Sequence, residues 1–208
     1  NRIRRVNNDG TIETFAGSRE PGPVYWPHDE ELIAGPATEA KLEAPNDVIV
    51  TEDGVVYISD RGNWCVRRVD ADGNIATVVG HSLDENGYSY AGFSGDGGPT
   101  MDATFSYTHG VALDSEGNLY VTDNGNSRVR RIEAIESAVL EDVGRGEDSG
   151  GDVSTTVAGS GGEAGYVYTL VGSGDYGKSD HGDSKFSGDG GDAMDAVMNQ
   201  PRGVAVGS

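Results

Sequence analysis

Cysteine, basic residues and long apolar runs are all scarce in this sequence. Cys65 is the single cysteine among 208 residues, which excludes an intrachain disulfide and a zinc site built on several cysteines. Only 15 Lys and Arg residues face 35 Asp and Glu residues, and the net charge of −20 disfavours nucleic acid as a partner. The apolar runs are strand-sized, well short of the roughly 18 residues that suggest a membrane-spanning helix. We therefore expect a globular chain that neither binds nucleic acid nor inserts into a membrane.

Glycine is abundant, and it separates short runs rich in β-branched residues. It accounts for 33 of the 208 residues, about twice the typical share of ~7%. A motif stands between these glycines three times: PNDVIV from Pro45, THGVAL from Thr108 and PRGVAV from Pro201. Such self-similarity indicates a fold built from repeated units, and the glycine-rich turns indicate that the units are β-sheets.

The residues after each motif match as well. EDGVVYISD (52–60) matches SEGNLYVTD (115–123), NWCVRRV (63–69) matches NSRVRRI (126–132), and RIRRV (2–6) is a further copy. Each unit predicts four strands, which in the first whole unit are 48–50, 55–59, 66–69 and 75–79. This pattern predicts an all-β fold, a β-propeller of four-stranded antiparallel blades in which the first strand of each blade is innermost.

The three motifs together resemble the NHL repeat, and the FSGDGG loops at 93–98 and 186–191 resemble those of secreted microbial and teneurin-like NHL proteins. The resemblance implies a propeller of roughly six blades, of which this sequence is expected to be an incomplete fragment. The expected divisions are an outer half blade at 1–17, a blade core at 43–80 with a loop to 105, a second core at 106–172 with an insertion at 133–166, and the first strand of a further blade at 199–207.

Two regions do not fit the repeat. Residues 18–35 contain three prolines and predict an extended loop between blades. The insertion opens with 133–143, a stretch without Gly or Pro that predicts a short helix. Two later segments, 154–159 and 168–172, both suit the fourth strand of the second blade. Periodicity does not decide between them, and we favour 168–172.

The second residue of each motif differs from copy to copy: Asn46, His109 and Arg202. This position begins the innermost strand, near the central channel where propellers usually place ligands, so these residues and Asp47 are the candidate ligand-binding residues. A solvated channel mouth accounts for the same variation. The segment around His109 also resembles the zinc-binding segment of peptidylglycine amidating lyases, but an arginine at a matching position does not fit a zinc site.

Aspartates gather in the glycine-rich loops. Asp96 and Asp189 stand within the two FSGDGG motifs, while Asp183 and Asp192 flank the second motif. Calcium takes about six to eight oxygen ligands, so these four residues are the candidate metal ligands and Ca2+ is the cofactor that the sequence allows. The alternative is architectural: each aspartate caps its own turn, and the phenylalanine of each loop packs between blades.

Two functions remain open. The one we favour is a non-catalytic binding or scaffold module, in which a rigid propeller presents a loop face to a protein or glycan partner. The other is a metal-dependent propeller enzyme of the gluconolactonase or amidating-lyase type, whose ligands would converge on the channel from several blades. The sequence carries no Gly-x-Ser-x-Gly motif and no phosphate-binding loop. The resemblance to extracellular NHL proteins implies an extracellular or cell-surface location.

Overall fold

The computed structural model describes residues 1–18, 34–80, 90–134, 165–174 and 187–207. These residues form three antiparallel β-sheets joined by turns, and none of these ranges contains an α-helix. The predicted all-β fold is confirmed. The helix predicted at 133–143 and the strand alternative at 154–159 lie outside the described residues, apart from the first two positions of the former. Within the described ranges, no helix has the length and apolar character needed to cross a membrane.

The sheets follow one another along the chain. The first consists of β1 (Ile3–Val6) and β2 (Ile12–Ala16). From its outer to its inner edge, the second consists of β3 (Ala34–Pro36), β7 (Asn74–Val79), β6 (Cys65–Val69), β5 (Val56–Asp60) and β4 (Asp47–Val50). The third repeats this order with β8 (Gly98–Pro99), β12 (Tyr166–Val171), β11 (Arg128–Ile132), β10 (Leu119–Asp123) and β9 (Thr108–Leu113).

The strands predicted for the first whole unit correspond to β4, β5, β6 and β7. The two larger sheets place matched residues at the same points of their ladders: Arg67 in β6 pairs with Thr77 in β7, and Arg130 in β11 pairs with Thr169 in β12. The strand beside β11 is β12, which lies in the second of the two segments that periodicity left open. The sequence repeat is therefore also a structural repeat.

The sheets differ from the prediction at both edges. β3 and β8 add a fifth, outermost strand to each larger sheet, and the first two residues of β3 lie at the end of the segment 18–35 predicted as a loop. Both contain a Gly-Pro pair, which signals a turn in a sequence but fits an outermost strand, where proline's missing N–H leaves no partner unsatisfied. No strand is assigned at 199–207 among the described residues, and the division that places the first strand of a further blade there stays a prediction.

Apolar side chains fill the two spaces between the three sheets. One cluster joins the first sheet to the second through Ala16, Leu42, Ile58, Val69 and Ile75. The other joins the second sheet to the third through Val66, Val79, Phe105, Val111, Val121 and Ile132. The far side of the innermost strand β4 was expected to be covered, but Val48 and Val50 are 43% and 65% exposed because no described sheet packs there.

Each larger sheet buries an aspartate at the end of the strand next to its innermost strand, β5 in one sheet and β10 in the other. Asp60 Oδ1 accepts the Glu43 N–H at 2.7 Å, and its Oδ2 accepts Asn63 Nδ2–H at 2.7 Å. Asp123 makes the matching bonds, to Ser106 N at 2.8 Å and to an asparagine three residues further along. Each aspartate thus holds the loop before the innermost strand against the sheet. Burial, the largest cause, raises the pKa of both carboxyls to about 6.

Candidate functional site

The turn before the PNDVIV-type motif has the same geometry in all three copies. Ala44, Tyr107 and Gln200 each stand directly before the first residue of a motif, and their φ angles are +46°, +52° and +49°. This left-handed conformation is unfavourable for residues that carry a Cβ. Such residues often occur at functional sites, where the surrounding structure holds them in place. The three turns mark the end of the sheets where the candidate ligand-binding residues lie.

His109, at the start of β9, is half-buried and contacts the unit on either side. Asn46 Nδ2 lies 2.6 Å from His109 Nδ1, and the backbone of Arg202 also forms a hydrogen bond with the ring. Burial first, and then the charges of Arg61 and Arg202, lower the pKa of His109 below its usual 6.5. The ring is therefore neutral at neutral pH. When it accepts the Asn46 amide proton at Nδ1, it carries its own proton on Nε2.

Two arginines and a tyrosine lie in the neighbourhood of this histidine. The guanidinium of Arg61 lies over the ring of Tyr107, 4.9 Å from its centroid. Arg202 is exposed, and both arginines act electrostatically on His109, so both charges lie near its ring. We call Asn46, Arg61, Tyr107, His109 and Arg202 the inner-strand cluster. Both arginines act electrostatically on the same imidazole, as does the carboxylate of Asp47, in a chain whose net charge is −20.

Asp47, the remaining candidate at this end of the sheets, bonds to the backbone. Its Oδ2 accepts the Val111 N–H at 3.0 Å, across the junction between β4 and β9. Its Oδ1 accepts the N–H of Val48 at 2.9 Å. Asp47 therefore holds the two innermost strands together beside the inner-strand cluster, and both of its carboxylate oxygens have protein donors.

Sequence reasoning missed Arg61 and Tyr107. A signal for Tyr107 was present, because it stands in the same register as Ala44, directly before the motif. Arg61 follows Asp60, the last residue of β5, and the matching position in the third sheet is Asn124. The side chain of Asn124 donates to Pro201 O at 3.0 Å, so this position also reaches toward the next motif. The stacking of Arg61 on Tyr107 depends on how two sheets pack, which the repeat alone does not give.

A buried arginine fixes the first acidic glycine loop. Arg130 is 0% exposed and donates from Nε and Nη2 to Asp96 Oδ1 at 3.1 and 2.8 Å. Its Nη2 and Nη1 also donate to the carbonyl oxygens of Ser94 and Thr104, both at 2.7 Å. Thr169 Oγ1 donates to the other oxygen of Asp96. Both carboxylate oxygens of this predicted metal ligand are thus engaged by protein donors.

The phenylalanine of this loop has a different place from the one expected. Phe93 stacks on Arg128, whose guanidinium carbon lies 3.7 Å from the ring centroid, and it stays 41% exposed. It therefore covers the outer side of the loop and does not fill a gap between sheets. The cationic partner is available because Arg128 begins the third strand of the sheet, beside the loop.

The other predicted calcium ligands do not converge in the part of the chain that the structure describes. Asp189 and Asp192 are exposed, and Asp192 Oδ1 caps its own turn by accepting the Met194 N–H at 2.9 Å. Asp183 lies outside the described residues. Among the described residues, no group of three or more His, Cys, Asp or Glu side chains could hold a metal ion. Calcium binding at the second loop stays a prediction.

Three successive antiparallel sheets pack against one another, and the two larger ones have the first strand of the repeat innermost. This arrangement defines the class: the chain has the β-propeller fold. The sequence profile described as "NHL repeat" matches residues 105–132, a span that contains β9, β10 and β11. Residues 105–132 therefore contain an NHL repeat, as the motifs in this span predict.

Several similar curated proteins are teneurins. Teneurin-4 of Homo sapiens is 33% identical over 110 residues, which is 50% of this chain and 4% of teneurin-4. Teneurin-3 of Danio rerio is 35% identical over 74 residues, 33% of this chain and 3% of that protein. Protein SUPPRESSOR OF QUENCHING 1, chloroplastic, of Arabidopsis thaliana is 30% identical over 115 residues, 55% of this chain and 9% of that protein. The chain thus spans less than about a tenth of each relative's length.

Solved structures show partial likenesses. A structural genomics protein of unknown function from Bacteroides thetaiotaomicron has a TM-score of 0.44 at 29% identity, over 58% of this chain and 26% of that one. An auxiliary nutrient binding protein from the same organism has a TM-score of 0.44 at 20% identity, over 62% and 31%. Likenesses this partial say nothing about the activity of the present chain.

Proposed function

We propose that the chain is a non-catalytic binding module whose inner-strand cluster recognises an acidic segment of a partner protein. The observation that carries this proposal is the grouping of Arg61 and Arg202 around His109 in a chain of net charge −20. The NHL repeat and the similarity to teneurins support a binding or scaffold role. The same similarity supports an extracellular or cell-surface location as part of the proposal.

The chemistry of the cluster suits carboxylates. The planar fork of an arginine matches the two oxygens of a carboxylate, and such charge-assisted pairs are stronger than neutral hydrogen bonds. Tyr107 is 44% exposed and offers an aromatic surface beside the guanidinium of Arg61. Tyrosine and arginine are enriched among the residues that dominate binding energy at protein interfaces. A peptide with an apolar residue next to an acidic one would contact both the arginine and the tyrosine ring.

The negative charge of the chain sets the conditions for such binding. At very low salt the whole molecule repels an acidic partner, whereas at about 0.15 M salt the Debye length is about 8 Å and distant charges are screened. Only the charges close to the bound peptide then decide its affinity. We therefore expect binding to be strongest at intermediate salt and to weaken at both extremes.

The test is a titration of the chain with a fluorescein-labelled peptide of alternating Glu and Tyr residues, followed by fluorescence anisotropy at about 0.15 M NaCl. The double variant Arg61→Gln with Arg202→Gln should bind at least about tenfold more weakly, since it loses two close charges. The matched control is Arg4→Gln with Arg5→Gln, which removes the same charge from exposed positions on β1. This control should bind as the unchanged protein does.

Equal weakening in both double variants would contradict the proposal, because only overall charge would then matter. The other outcome is that no peptide binds, and that a neutral glycan binds the unchanged chain but not the variant at Arg61 and Arg202. The partner would then be a glycan and not a protein.

A further inference from the structure

A second exposed aromatic ring lies at the same end of the sheets as the inner-strand cluster. Phe93 is 41% exposed, and the guanidinium carbon of Arg128 lies 3.7 Å from its ring centroid. This contact has the same chemistry as the contact between Arg61 and Tyr107, whose ring is 44% exposed. We call Phe93 and Arg128 the outer pair. An arginine and an exposed aromatic ring therefore lie both at the start of β9 and at the start of β11.

One turn joins the outer pair to the inner-strand cluster. In this turn, between β10 and β11, the Gly125 N–H donates to Ser106 O and Asn126 Nδ2 donates to Gly92 O, both at 2.7 Å. The first acceptor directly precedes the tyrosine of the inner-strand cluster, and the second directly precedes the phenylalanine of the outer pair. Both aromatic residues are therefore anchored on the same turn.

The strand ladder sets the separation between the two places. Thr108, Asp123 and Arg128 lie in one row across β9, β10 and β11, because Asp123 pairs with both of the others. Neighbouring strands are about 4.8 Å apart, so the backbones at the two ends of this row are about 10 Å apart. Tyr107 directly precedes Thr108, and Phe93 lies on Arg128. A ligand that contacts both aromatic residues must therefore span about 10 Å.

The guanidinium of Arg128 is held in place and has no carboxylate partner. Its Nη1 donates to Asn126 O at 3.1 Å and its Nη2 donates to Ser173 O at 2.7 Å. These two bonds leave other N–H groups of the guanidinium for a ligand. None of the ion pairs within the described residues includes Arg61, Arg128 or Arg202. An ordered arginine with an unpaired charge binds an anion at a small entropic cost.

We propose that the outer pair is a second subsite for the acidic partner segment, which runs from the inner-strand cluster outward across the turn to Phe93. This inference rests on the proposed function and extends it. The arginines favour carboxylates, and the exposed rings favour apolar or aromatic neighbours of those carboxylates.

The separation of the two subsites also selects the conformation of the segment. In a polyproline II helix, residues three apart share a face and are about 9 Å apart along the axis, which matches the row from β9 to β11. In a β-strand, residues three apart point to opposite faces. The partner is therefore an extended segment of the polyproline II type, in which an acidic residue next to an aromatic one recurs after three positions.

The experiment compares two fluorescein-labelled, proline-rich peptides of equal length by fluorescence anisotropy at about 0.15 M NaCl. One peptide has two Glu-Tyr pairs whose glutamates are three residues apart, and the other replaces the second pair by Gln-Ala. The unchanged chain should bind the two-pair peptide at least about tenfold more tightly, because the second pair binds from a high effective concentration. Phe93→Ala with Arg128→Gln should bind both peptides equally. If this double variant does not fold, Phe93→Ala alone replaces it and should lose most of the gain.

Two controls separate the subsite from overall charge. A third peptide has the composition of the two-pair peptide, but its glutamates are five residues apart and lie on different faces of a polyproline II helix. It should bind as the single-pair peptide does. The control variant is Tyr168→Ala with Arg131→Gln, which removes another arginine–aromatic contact of the same sheet, with the guanidinium 5.7 Å from the ring centroid. This variant should keep the full gain from the second pair.

The proposal is overturned if the second pair brings no gain in affinity, or if the gain survives in the variants at Phe93 and Arg128. The single-pair peptide tests the proposed function separately, since its binding should depend on Arg61 and Arg202 and not on the outer pair. If it does so and the second pair brings no gain, the inner-strand cluster is retained as a site and the outer pair is not. If neither peptide binds, both proposals are overturned.

Discussion

At the residue scale, the chain tolerates unfavourable conformations and buried charges where they hold the repeat together. Ala44, Tyr107 and Gln200 all have positive φ although none of them is glycine or asparagine. Asp60 and Asp123 are fully buried acids that serve as acceptors for backbone N–H groups. Both features cost free energy locally, of the order of 1–3 kcal/mol for a strained residue. They persist because every copy of the repeat uses them to place the innermost strand.

We predict that Ala44→Gly stabilises the chain. Ala44 is exposed with φ +46°, so the substitution removes the Cβ clash of the left-handed conformation and loses little packing. The expected gain is up to about 1 kcal/mol in the free energy of unfolding, measured by urea denaturation. Ala71→Gly is the control, because Ala71 is equally exposed and has no positive φ. It should be neutral or destabilising, and a gain there as large as at Ala44 would refute the explanation.

We predict a specific pH dependence from Asp123. Burial raises the pKa of Asp123 from its ordinary 3.8 to about 6 in the folded chain, so between these pH values the folded state binds more protons than the unfolded state. The contribution of Asp123 to stability is therefore greatest at low pH and decreases as pH rises from 3.8 to about 6. Asp123→Asn cannot ionise, so the midpoint of the unchanged chain should fall relative to this variant across that range and level off above it.

Asp114→Asn is the control for this titration. Hydrogen bonds, first that of Asn118, lower the pKa of the partly exposed Asp114, so its contribution has the opposite sign. Relative to that variant, the midpoint of the unchanged chain should rise with pH below 3.8. A midpoint difference for Asp123→Asn that does not change between pH 3.8 and about 6 would contradict the assignment.

At the element scale, the loop that connects one sheet to the next also repeats along the sequence. GPATEAKLEAP (35–45), GPTMDATFSYT (98–108) and GDAMDAVMNQP (191–201) correspond position by position, and this extends the repeat upstream of the PNDVIV-type motif. In two copies the glycine of the FSGDGG loop packs on the alanine of this segment. A Cβ on Gly95 would lie 2.6 Å from Ala103 Cα, and one on Gly188 would lie 2.7 Å from Ala196 Cα. The acidic glycine loop therefore packs closely against the repeated segment that precedes the PNDVIV-type motif.

The ion pair between Asp96 and Arg130 should contribute strongly to this docking. Asp96→Ala removes the carboxylate from a fully buried guanidinium and leaves Nε of Arg130 without an acceptor, while Nη1 and Nη2 keep their carbonyl acceptors. For a fully buried pair the expected loss in the free energy of unfolding is about 3–5 kcal/mol. Asp96 is partly exposed, so water screens the pair and the loss measured by urea denaturation should be smaller than that.

Asp189→Ala is the matched control, because Asp189 has the same place in the second FSGDGG loop but is exposed, and no described arginine pairs with it. Its loss should stay within about 0.5 kcal/mol. Equal losses at Asp96 and Asp189 would show that the aspartate acts within its own turn and that the arginine is not the cause.

At the scale of the whole molecule, three sheets share two apolar interfaces while the chain carries a net charge of −20. The interfaces supply the cohesion, since the single cysteine, Cys65, forms no disulfide and is buried as an apolar filler. The excess of negative charge acts against the compact state through self-repulsion. Stability should therefore depend on screening as well as on packing.

We predict that the melting temperature rises by several degrees between about 10 mM and about 0.5 M NaCl at pH 7, because salt screens repulsion between carboxylates. Differential scanning calorimetry measures the effect. The control is the same salt series near the isoelectric point of about 4.3, where the net charge is close to zero. There the rise should be much smaller, and an equal rise would assign the effect to apolar burial.

The sequence by itself determined the repeat, the all-β class and the strands of the two larger sheets, apart from the outermost β3 and β8 and the choice between two segments for β12. Alternation, glycine-rich turns and matched motifs act over a few residues, and therefore they can be read without coordinates. It also identified Asn46, His109 and Arg202 as occupants of one repeat position, because repeated units place corresponding residues at corresponding points of the fold.

The tertiary structure alone decided which of these residues meet, and what holds the loops. Arg61 on Tyr107 and Asp96 on Arg130 both depend on contacts between sheets or between a loop and a sheet. The outermost strand β3 likewise exists only because β7 is beside it. Such contacts join residues far apart in the chain, and no local pattern encodes their distances, so only the packing of one repeat against the next fixes them.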